Sequence, residues 1–153
     1  MENINTEEVK DQPMNNNEPY SKILREKLLS EKKGGNLNYT EKRILKDLEE
    51  FEFNVNPEMG ISARPLKESA YKWHANIKGM ADTPYEGGIF HLQITILGDY
   101  PNKPPVIETV TPMTNNFFIS GKYRSEMVED DWCSGYSLFS ILLQIQFGLF
   151  DYL

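Results

Sequence analysis

The sequence has little of several features on which other classes of protein depend. It contains one cysteine, Cys133, among 153 residues, so no disulfide can form within the chain and a disulfide-stabilised scaffold is excluded. No apolar run reaches the roughly 18 residues that a membrane-spanning helix needs, so we expect no membrane span. Basic residues are also few, with 16 Lys and Arg against 23 Asp and Glu and a net charge of −7. This charge argues against nucleic acid as a partner.

The local motifs of common enzyme classes are missing as well. The chain holds no Gly-rich nucleotide loop, no HExxH zinc motif and no GxSxG hydrolase motif. His74 and His91 lie on predicted strands, but no third ligand is placed to complete a zinc site. The acidic stretch at 126–131 lacks the ligand spacing of a calcium loop. We therefore expect neither a metal nor a cofactor.

The composition predicts one globular domain with an N-terminal extension. Residues 1–39 are assigned to the extension, because the first part is rich in Asn and Glu and poor in apolar residues, which predicts disorder. A short helix is expected over Tyr20 to Lys33, ended by glycines. Residues 40–153 are assigned to the domain. The acidic N-terminus carries neither a secretory nor a mitochondrial signal, so the expected location is cytoplasmic or nuclear.

Periodic patterns give the order of elements within the domain. Thr40 is a plausible N-cap for a helix whose apolar residues recur at helical spacing up to Phe51. Alternating apolar residues predict two adjacent strands, one near 71–78 and one near 90–96, with flanking strands near 61–65 and 106–110. A long segment from Thr111 to Tyr136 shows little periodicity, and such a segment in a compact domain is usually functional. An apolar helix follows from 137 to 150.

The stretch YKWHANIKGMADTPYEGGIFHLQITILGDYPNKPP, residues 71–105, resembles the centre of a ubiquitin-conjugating enzyme (UBC) domain. The resemblance extends over about 40–153. It implies an α+β, UBC-like fold with an N-terminal helix, a four-stranded antiparallel meander, a long irregular active-site segment and a central helix. The C-terminal helices that such enzymes normally carry are missing from the chain. The resemblance also implies a cis peptide bond between Tyr100 and Pro101.

The same resemblance implies a chemistry that can be compared residue by residue. In the family, a cysteine thiolate accepts the ubiquitin C-terminus as a thioester, and an Asn of an HPN motif lies nearby. Alignment on Gly121 and Trp132 places Arg124 at the nucleophile and leaves Asn116 as the possible remnant of the HPN motif. A guanidinium stays protonated and cannot act as a nucleophile. The resulting prediction is a catalytically inactive pseudoenzyme without catalytic residues.

The function predicted from this comparison is protein binding, similar to that of ubiquitin-conjugating-enzyme variants. The chain would act as a cofactor of an active ubiquitin-conjugating enzyme or as a ubiquitin-binding module. One alternative is a structural accessory subunit that contacts neighbouring subunits of a large assembly. A less favoured alternative is an unconventional active enzyme that uses Cys133, since a thiol packed beside Trp132 is the simpler explanation for that residue.

Candidate partner-binding residues come from the family's docking surfaces and from the last helix. Basic residues of the first domain helix face activating enzyme in the family, whereas the loop positions here depart from its usual aromatic and Pro-Ala residues. The last helix is apolar around its circumference, which predicts that a partner covers part of it. The candidates are Lys42, Arg43, Asn102, Ser134, Gly135, Phe147 and Phe150.

Overall fold

The computed structural model describes residues 18–54, 56–112 and 117–150. Its helices are α1 (Tyr20–Glu31), α2 (Tyr39–Phe53) and α3 (Leu138–Phe150), with a 3₁₀ turn at Glu126–Val128. Its strands are β1 (Ile61–Leu66), β2 (Ser69–Lys78), β3 (Ile89–Thr95), β4 (Val106–Thr109), β5 (Phe118–Ile119) and β6 (Lys122–Tyr123). The predictions for residues 1–17, Asn116 and the side chain of Phe150 lie outside the described residues.

One antiparallel sheet holds all six strands, in the order β1-β2-β3-β4-β6-β5. Strands β1 to β4 form the predicted meander, and with the helices they confirm the α+β UBC-like fold. The short strands β5 and β6 extend the sheet from the segment in which the sequence showed no periodicity. Gly121 joins them at a φ of +82°, and its carbonyl accepts from the Thr109 N–H at 2.7 Å. Strands of two residues are too short to give a detectable alternation.

The N-cap of helix α2 lies two residues before the predicted one. Asn38 is the N-cap, and it forms a capping box in which its side chain accepts from the Glu41 N–H while the Glu41 carboxylate accepts from the Asn38 N–H. The prediction of Thr40 as the cap is therefore wrong. The Thr40 hydroxyl instead donates to the carbonyls of Gly98 and Tyr100. Thr40 thus ties the helix to the loop that follows β3.

The core lies between the inner face of the sheet and helices α2 and α3. Trp73 is fully buried at its centre, and its ring centroid lies 6.0 Å from that of Phe51. Each fully buried aliphatic side chain contributes about 1.5–3 kcal/mol relative to exposure. The buried apolar residues of α2 and α3 are Ile44, Leu45, Leu48, Phe51, Leu138, Ile141, Leu142, Ile145 and Leu149.

Helix α1 packs on the same core. Leu24 and Leu28 are 3% and 6% exposed and belong to the apolar cluster that contains Trp73. Glu52 of α2 accepts from both the backbone N–H and the hydroxyl of Ser21, at 2.9 and 2.6 Å. Burial within this chain therefore explains Leu24 and Leu28, whereas Ile23 and Leu29 of the same helix are exposed.

Candidate functional site

The only thiol of the chain lies in a short loop immediately before α3. We call residues 132–137 the cysteine loop. Cys133 is free and exposed. Its sulfur accepts a hydrogen bond from the Gly135 N–H at 3.3 Å, and its carbonyl accepts from the Tyr136 N–H at 2.9 Å. The loop therefore folds back on itself around the sulfur.

Trp132 connects the cysteine loop to the loop after β3, residues 98–105, which we call the proline loop. Its indole N–H donates to the carbonyl of Pro101 at 2.8 Å. Its ring centroid lies 6.3 Å from that of Tyr100 and 5.6 Å from that of Tyr136. The Tyr100–Pro101 bond is cis, which confirms the expectation from the sequence. The two loops thus meet through an aromatic cluster.

Arg43 of α2 holds the cysteine loop from the other side. Its Nη1 donates to the Ser134 carbonyl at 2.6 Å and its Nη2 to the Tyr136 carbonyl at 2.5 Å. The remaining nitrogen, Nε, donates to Asp47 Oδ1 at 2.9 Å. The Arg43 side chain is 14% exposed. A residue predicted to face a partner therefore uses its guanidinium for contacts within the chain.

Asp47 is the buried acceptor at the centre of this network. The carboxylate accepts from Arg43, from the Tyr100 hydroxyl and from the Leu138 N–H at 3.4 Å. Burial raises the pKa of Asp47 above its ordinary value, although the hydrogen bonds from Tyr100 and Arg43 oppose that shift. Burial and the neighbouring carboxylate raise the pKa of Tyr100, so its hydroxyl remains a proton donor. One carboxylate thereby anchors α2, the proline loop and the start of α3.

Sequence reasoning missed Asp47 and Tyr100 as parts of the site. A usable signal was present, because Asp47 lies between apolar residues on the inner face of α2, four residues after Arg43. An acidic residue on a buried helix face needs a hydrogen-bonding partner. An Arg one helical turn away is the partner such a pattern predicts.

Arg124, which is predicted to stand at the family nucleophile position, lines a hollow whose walls include no residue of the cysteine loop. Its Nε and Nη2 donate to Glu129 Oε1 at 3.0 and 2.5 Å, and both side chains are about half exposed. The backbone N–H of Arg124 donates to the Phe117 carbonyl at 2.7 Å. The hollow, of about 600 Å³, is lined by Phe117, Ile119, Arg124, Ser125, Glu126, Met127, Glu129 and Gln144.

The other candidate residues divide into two groups. Lys42, Asn102, Ser134 and Gly135 are exposed near the contact of α2 with the two loops. Phe147 lies toward the opposite end of α3 and is 54% exposed. It borders a hollow of about 520 Å³ whose other walls include Met59, Met80 and Leu143. The partner-binding role of both groups stays a prediction.

The described part of the chain offers neither a metal centre nor a membrane-spanning helix. Within residues 18–54, 56–112 and 117–150, no group of three His, Cys, Asp or Glu side chains could hold a metal ion. No helix in that part of the chain has the length and apolar character needed to cross a membrane.

Comparison with known proteins identifies the family. The family model for ubiquitin-conjugating enzymes matches residues 43–151. The chain belongs to the ubiquitin-conjugating enzyme family. It is 34% identical over 111 residues to ubiquitin-conjugating enzyme E2 2 of Candida albicans, covering 72% of this chain and 61% of that protein. The same enzyme of Saccharomyces cerevisiae is 35% identical over 106 residues, covering 69% of this chain and 60% of that protein.

Solved structures of this family share the fold. Human ubiquitin-conjugating enzyme E2 G1 superposes with a TM-score of 0.70 at 25% identity, covering 76% of this chain and 99% of that structure. The E2 domain of a Toxoplasma gondii ubiquitin conjugating enzyme gives a TM-score of 0.63 at 31% identity, covering 73% of this chain and 75% of that structure. The chain spans about three fifths of the length of the Candida albicans and Saccharomyces cerevisiae relatives.

These comparisons contradict the functional prediction made from Arg124. The relatives are named as ubiquitin-conjugating enzymes, so the prediction of a catalytically inactive, partner-binding pseudoenzyme is wrong. The alternative of a structural accessory subunit has no support in them either. The prediction gave one aligned position more weight than the similarity of the whole domain. The correspondence of Arg124 with the family nucleophile itself stays a prediction.

Proposed function

We propose that the chain is a ubiquitin-conjugating enzyme whose acceptor thiol is Cys133. The observation that carries the proposal is that Cys133 is the only thiol of the chain and is exposed, in a chain that belongs to a family of conjugating enzymes. Arg124 offers no nucleophile. Conjugation through a thioester therefore requires Cys133.

The reaction consists of two exchanges at a carbonyl carbon. The Cys133 thiolate attacks the thioester that joins the ubiquitin C-terminus to activating enzyme, and the cysteine of the activating enzyme leaves as a thiolate. A lysine amine of the substrate then attacks the new thioester, forms an amide and loses a proton. The Cys133 thiolate leaves and is ready for the next cycle. The activated ubiquitin supplies the energy of both steps.

The exposed residues around the cysteine loop are the proposed docking surface for protein partners. Its residues are exposed and come from α2, from the proline loop and from the cysteine loop: Lys42, Asn102, Ser134 and Gly135. Activating enzyme and a ubiquitin ligase are the partner classes that conjugation requires. Asn116 is the proposed remnant of the HPN motif.

A charging assay tests this function. The chain is incubated with activating enzyme, ATP and ubiquitin, and the products are separated with and without dithiothreitol. We expect a dithiothreitol-sensitive adduct of one ubiquitin that is absent in Cys133→Ala. Exposed Lys72 of β2 offers a matched control, since Lys72→Gln leaves the thiol, its loop and α2 intact. An adduct that persists in Cys133→Ala, or no adduct on the folded wild-type chain, overturns the proposal.

A further inference from the structure

One peptide group joins the guanidinium of Arg43 to the sulfur of Cys133. The carbonyl of Ser134 accepts from Arg43 Nη1 at 2.6 Å. The N–H of the same peptide group belongs to Gly135 and donates to Cys133 Sγ at 3.3 Å. Arg43 and the sulfur are therefore bound to opposite ends of one planar amide, whose two ends cannot turn independently.

A second connection between Arg43 and the cysteine residue runs through the backbone of Tyr136, by way of two successive peptide groups. The Tyr136 N–H donates to the Cys133 carbonyl at 2.9 Å, and the Tyr136 carbonyl accepts from Arg43 Nη2 at 2.5 Å. The two terminal nitrogens of the guanidinium thus bind carbonyls on either side of Gly135. Because a guanidinium is rigid and planar, this pairing fixes the direction of both carbonyls.

The orientation of Arg43 is itself fixed by Asp47. That carboxylate binds Nε, receives the Tyr100 hydroxyl and is 1% exposed, so it cannot move away to solvent. The terminal nitrogens are left free to face the loop. The positive charge of Arg43 is therefore held in one orientation toward the loop by a buried carboxylate.

A charged donor at the carbonyl end of an amide strengthens the hydrogen bond made at its N–H end. Such polarisation along a chain of hydrogen bonds is cooperative and is largest away from bulk water. The species that benefits is the thiolate, because the N–H then donates to a full negative charge. The thiolate is also the reactive form of cysteine.

We propose that Arg43 is a positioning residue for Cys133, acting through the Ser134–Gly135 peptide group to orient and strengthen the hydrogen bond to the sulfur. The inference rests on the proposed function in taking Cys133 as the reacting thiol. Its test needs neither ubiquitin nor activating enzyme. A failure of ubiquitin charging would overturn the proposed function, whereas the role of Arg43 is decided by the reactivity of Cys133 alone.

The direct test is the rate of alkylation of Cys133 in the full chain by iodoacetamide, a neutral reagent. The thiolate displaces iodide, so the rate follows the thiolate population and its approach to the reagent. For Arg43→Gln we expect the rate at pH 7 to fall by about threefold to tenfold, while the limiting rate at high pH stays within about twofold of wild type. A loop that had merely loosened would change the limiting rate as well.

Two further variants, one at position 43 and one elsewhere on α2, separate the effect of positive charge from the effect of the guanidinium geometry. Arg43→Lys keeps the positive charge but loses the planar fork, and we expect a rate at pH 7 between those of wild type and Arg43→Gln. Lys46→Gln removes one charge from an exposed position of α2 and should leave the rate unchanged. Asp130 and Asp131, the exposed acids beside the loop, are kept in every variant. Equal effects of Arg43→Gln and Lys46→Gln would show a general charge effect and overturn the inference.

Substitutions at Gly135 test the route through the peptide group. Gly135→Pro removes the N–H that donates to sulfur, whereas Gly135→Ala keeps it and places a Cβ at an ordinary 3.6 Å from Sγ. We expect the rate at pH 7 to be lower in Gly135→Pro than in Gly135→Ala. Adding Arg43→Gln to Gly135→Pro should then have little further effect, since the connection is already broken. Independent effects of the two substitutions would overturn the inference. Thermal unfolding of each variant shows that it is folded under the conditions of the alkylation assay.

Discussion

The phenolic hydroxyl of Tyr100 donates to the carboxylate of Asp47, and both side chains are almost wholly buried, at 0% and 1% exposure. The two residues come from the proline loop and from α2, 53 positions apart in the chain. Because the acceptor is ionised, the bond belongs to the stronger class of hydrogen bonds. It holds the proline loop against the helix that also carries Arg43.

Tyr100→Phe is expected to lower the free energy of unfolding by about 1.5–3 kcal/mol, the contribution typical of a hydrogen bond to a charged group. The ring is kept, so packing against Trp132 should persist. Urea unfolding followed by circular dichroism measures the change. Tyr39→Phe is the matched control, since Tyr39 is 65% exposed and its loss of a hydroxyl should cost less than about 0.5 kcal/mol. Equal effects of the two substitutions would contradict the assigned role of Tyr100.

Asp47 also predicts a specific dependence of stability on pH. Burial raises the pKa of its folded form above the ordinary 3.8. Between the unfolded and folded pKa values, the folded state keeps a proton that the unfolded state has released. The contribution of Asp47 to stability is therefore greatest below the unfolded pKa and is lost as pH rises through the folded pKa.

The measurement is the free energy of unfolding from pH 3 to pH 8 for wild type and Asp47→Asn. Subtracting the two curves isolates the titration of Asp47, and we expect the wild-type curve to fall relative to the variant as pH rises above about 4. At neutral pH the variant loses the ionised partner of Arg43, so its overall stability should still be lower. A difference that grows in the opposite direction would show that the hydrogen bonds from Tyr100 and Arg43 outweigh burial.

The sequence predicts the parts of the fold in which one face of a helix or strand is buried and the opposite face is exposed to solvent. In β2, Trp73, Ala75 and Ile77 are buried, while Lys72, His74 and Lys78 are exposed, which is the period of two visible in the sequence. The helix α2 follows its 3.6-residue period for the same reason. These patterns report burial directly, so they determine the core and the meander.

The candidate site was less predictable, because it is built from contacts between distant segments. Lys42 and Arg43 are adjacent basic residues that the sequence does not distinguish. In the structure Arg43 binds two loop carbonyls, whereas Lys42 is exposed. The acceptors are backbone carbonyls, and a backbone carbonyl has no signature in the sequence. Only the fold shows that Ser134 and Gly135 face the helix 91 positions earlier in the chain.

The turn between β2 and β3 depends on the absence of a side chain at position 79. A Cβ on Gly79 would lie 1.7 Å from the carbonyl oxygen of Tyr85, which is a backbone atom and cannot rotate away. Gly79→Ala should therefore lower stability by about 1–3 kcal/mol or more. Gly98→Ala is the control, because nothing lies within 4 Å of the corresponding Cβ. Thermal unfolding of the two variants measures the difference, and equal melting temperatures would contradict the contact.

Helix α1 is the last element with a clear test, since the sequence assigns it to an extension while the structure packs it on the core. Leu24 is 3% exposed, whereas its neighbour Ile23 is 37% exposed. Leu24→Ala should lower the free energy of unfolding by about 2–5 kcal/mol, the cost of a cavity in a packed core. Ile23→Ala removes a similar apolar volume from a wet face of the same helix and should cost about 1 kcal/mol or less. Urea unfolding gives both values, and a single transition in wild type would show that α1 unfolds together with the sheet. If Leu24→Ala costs no more than Ile23→Ala, α1 is not held by the core.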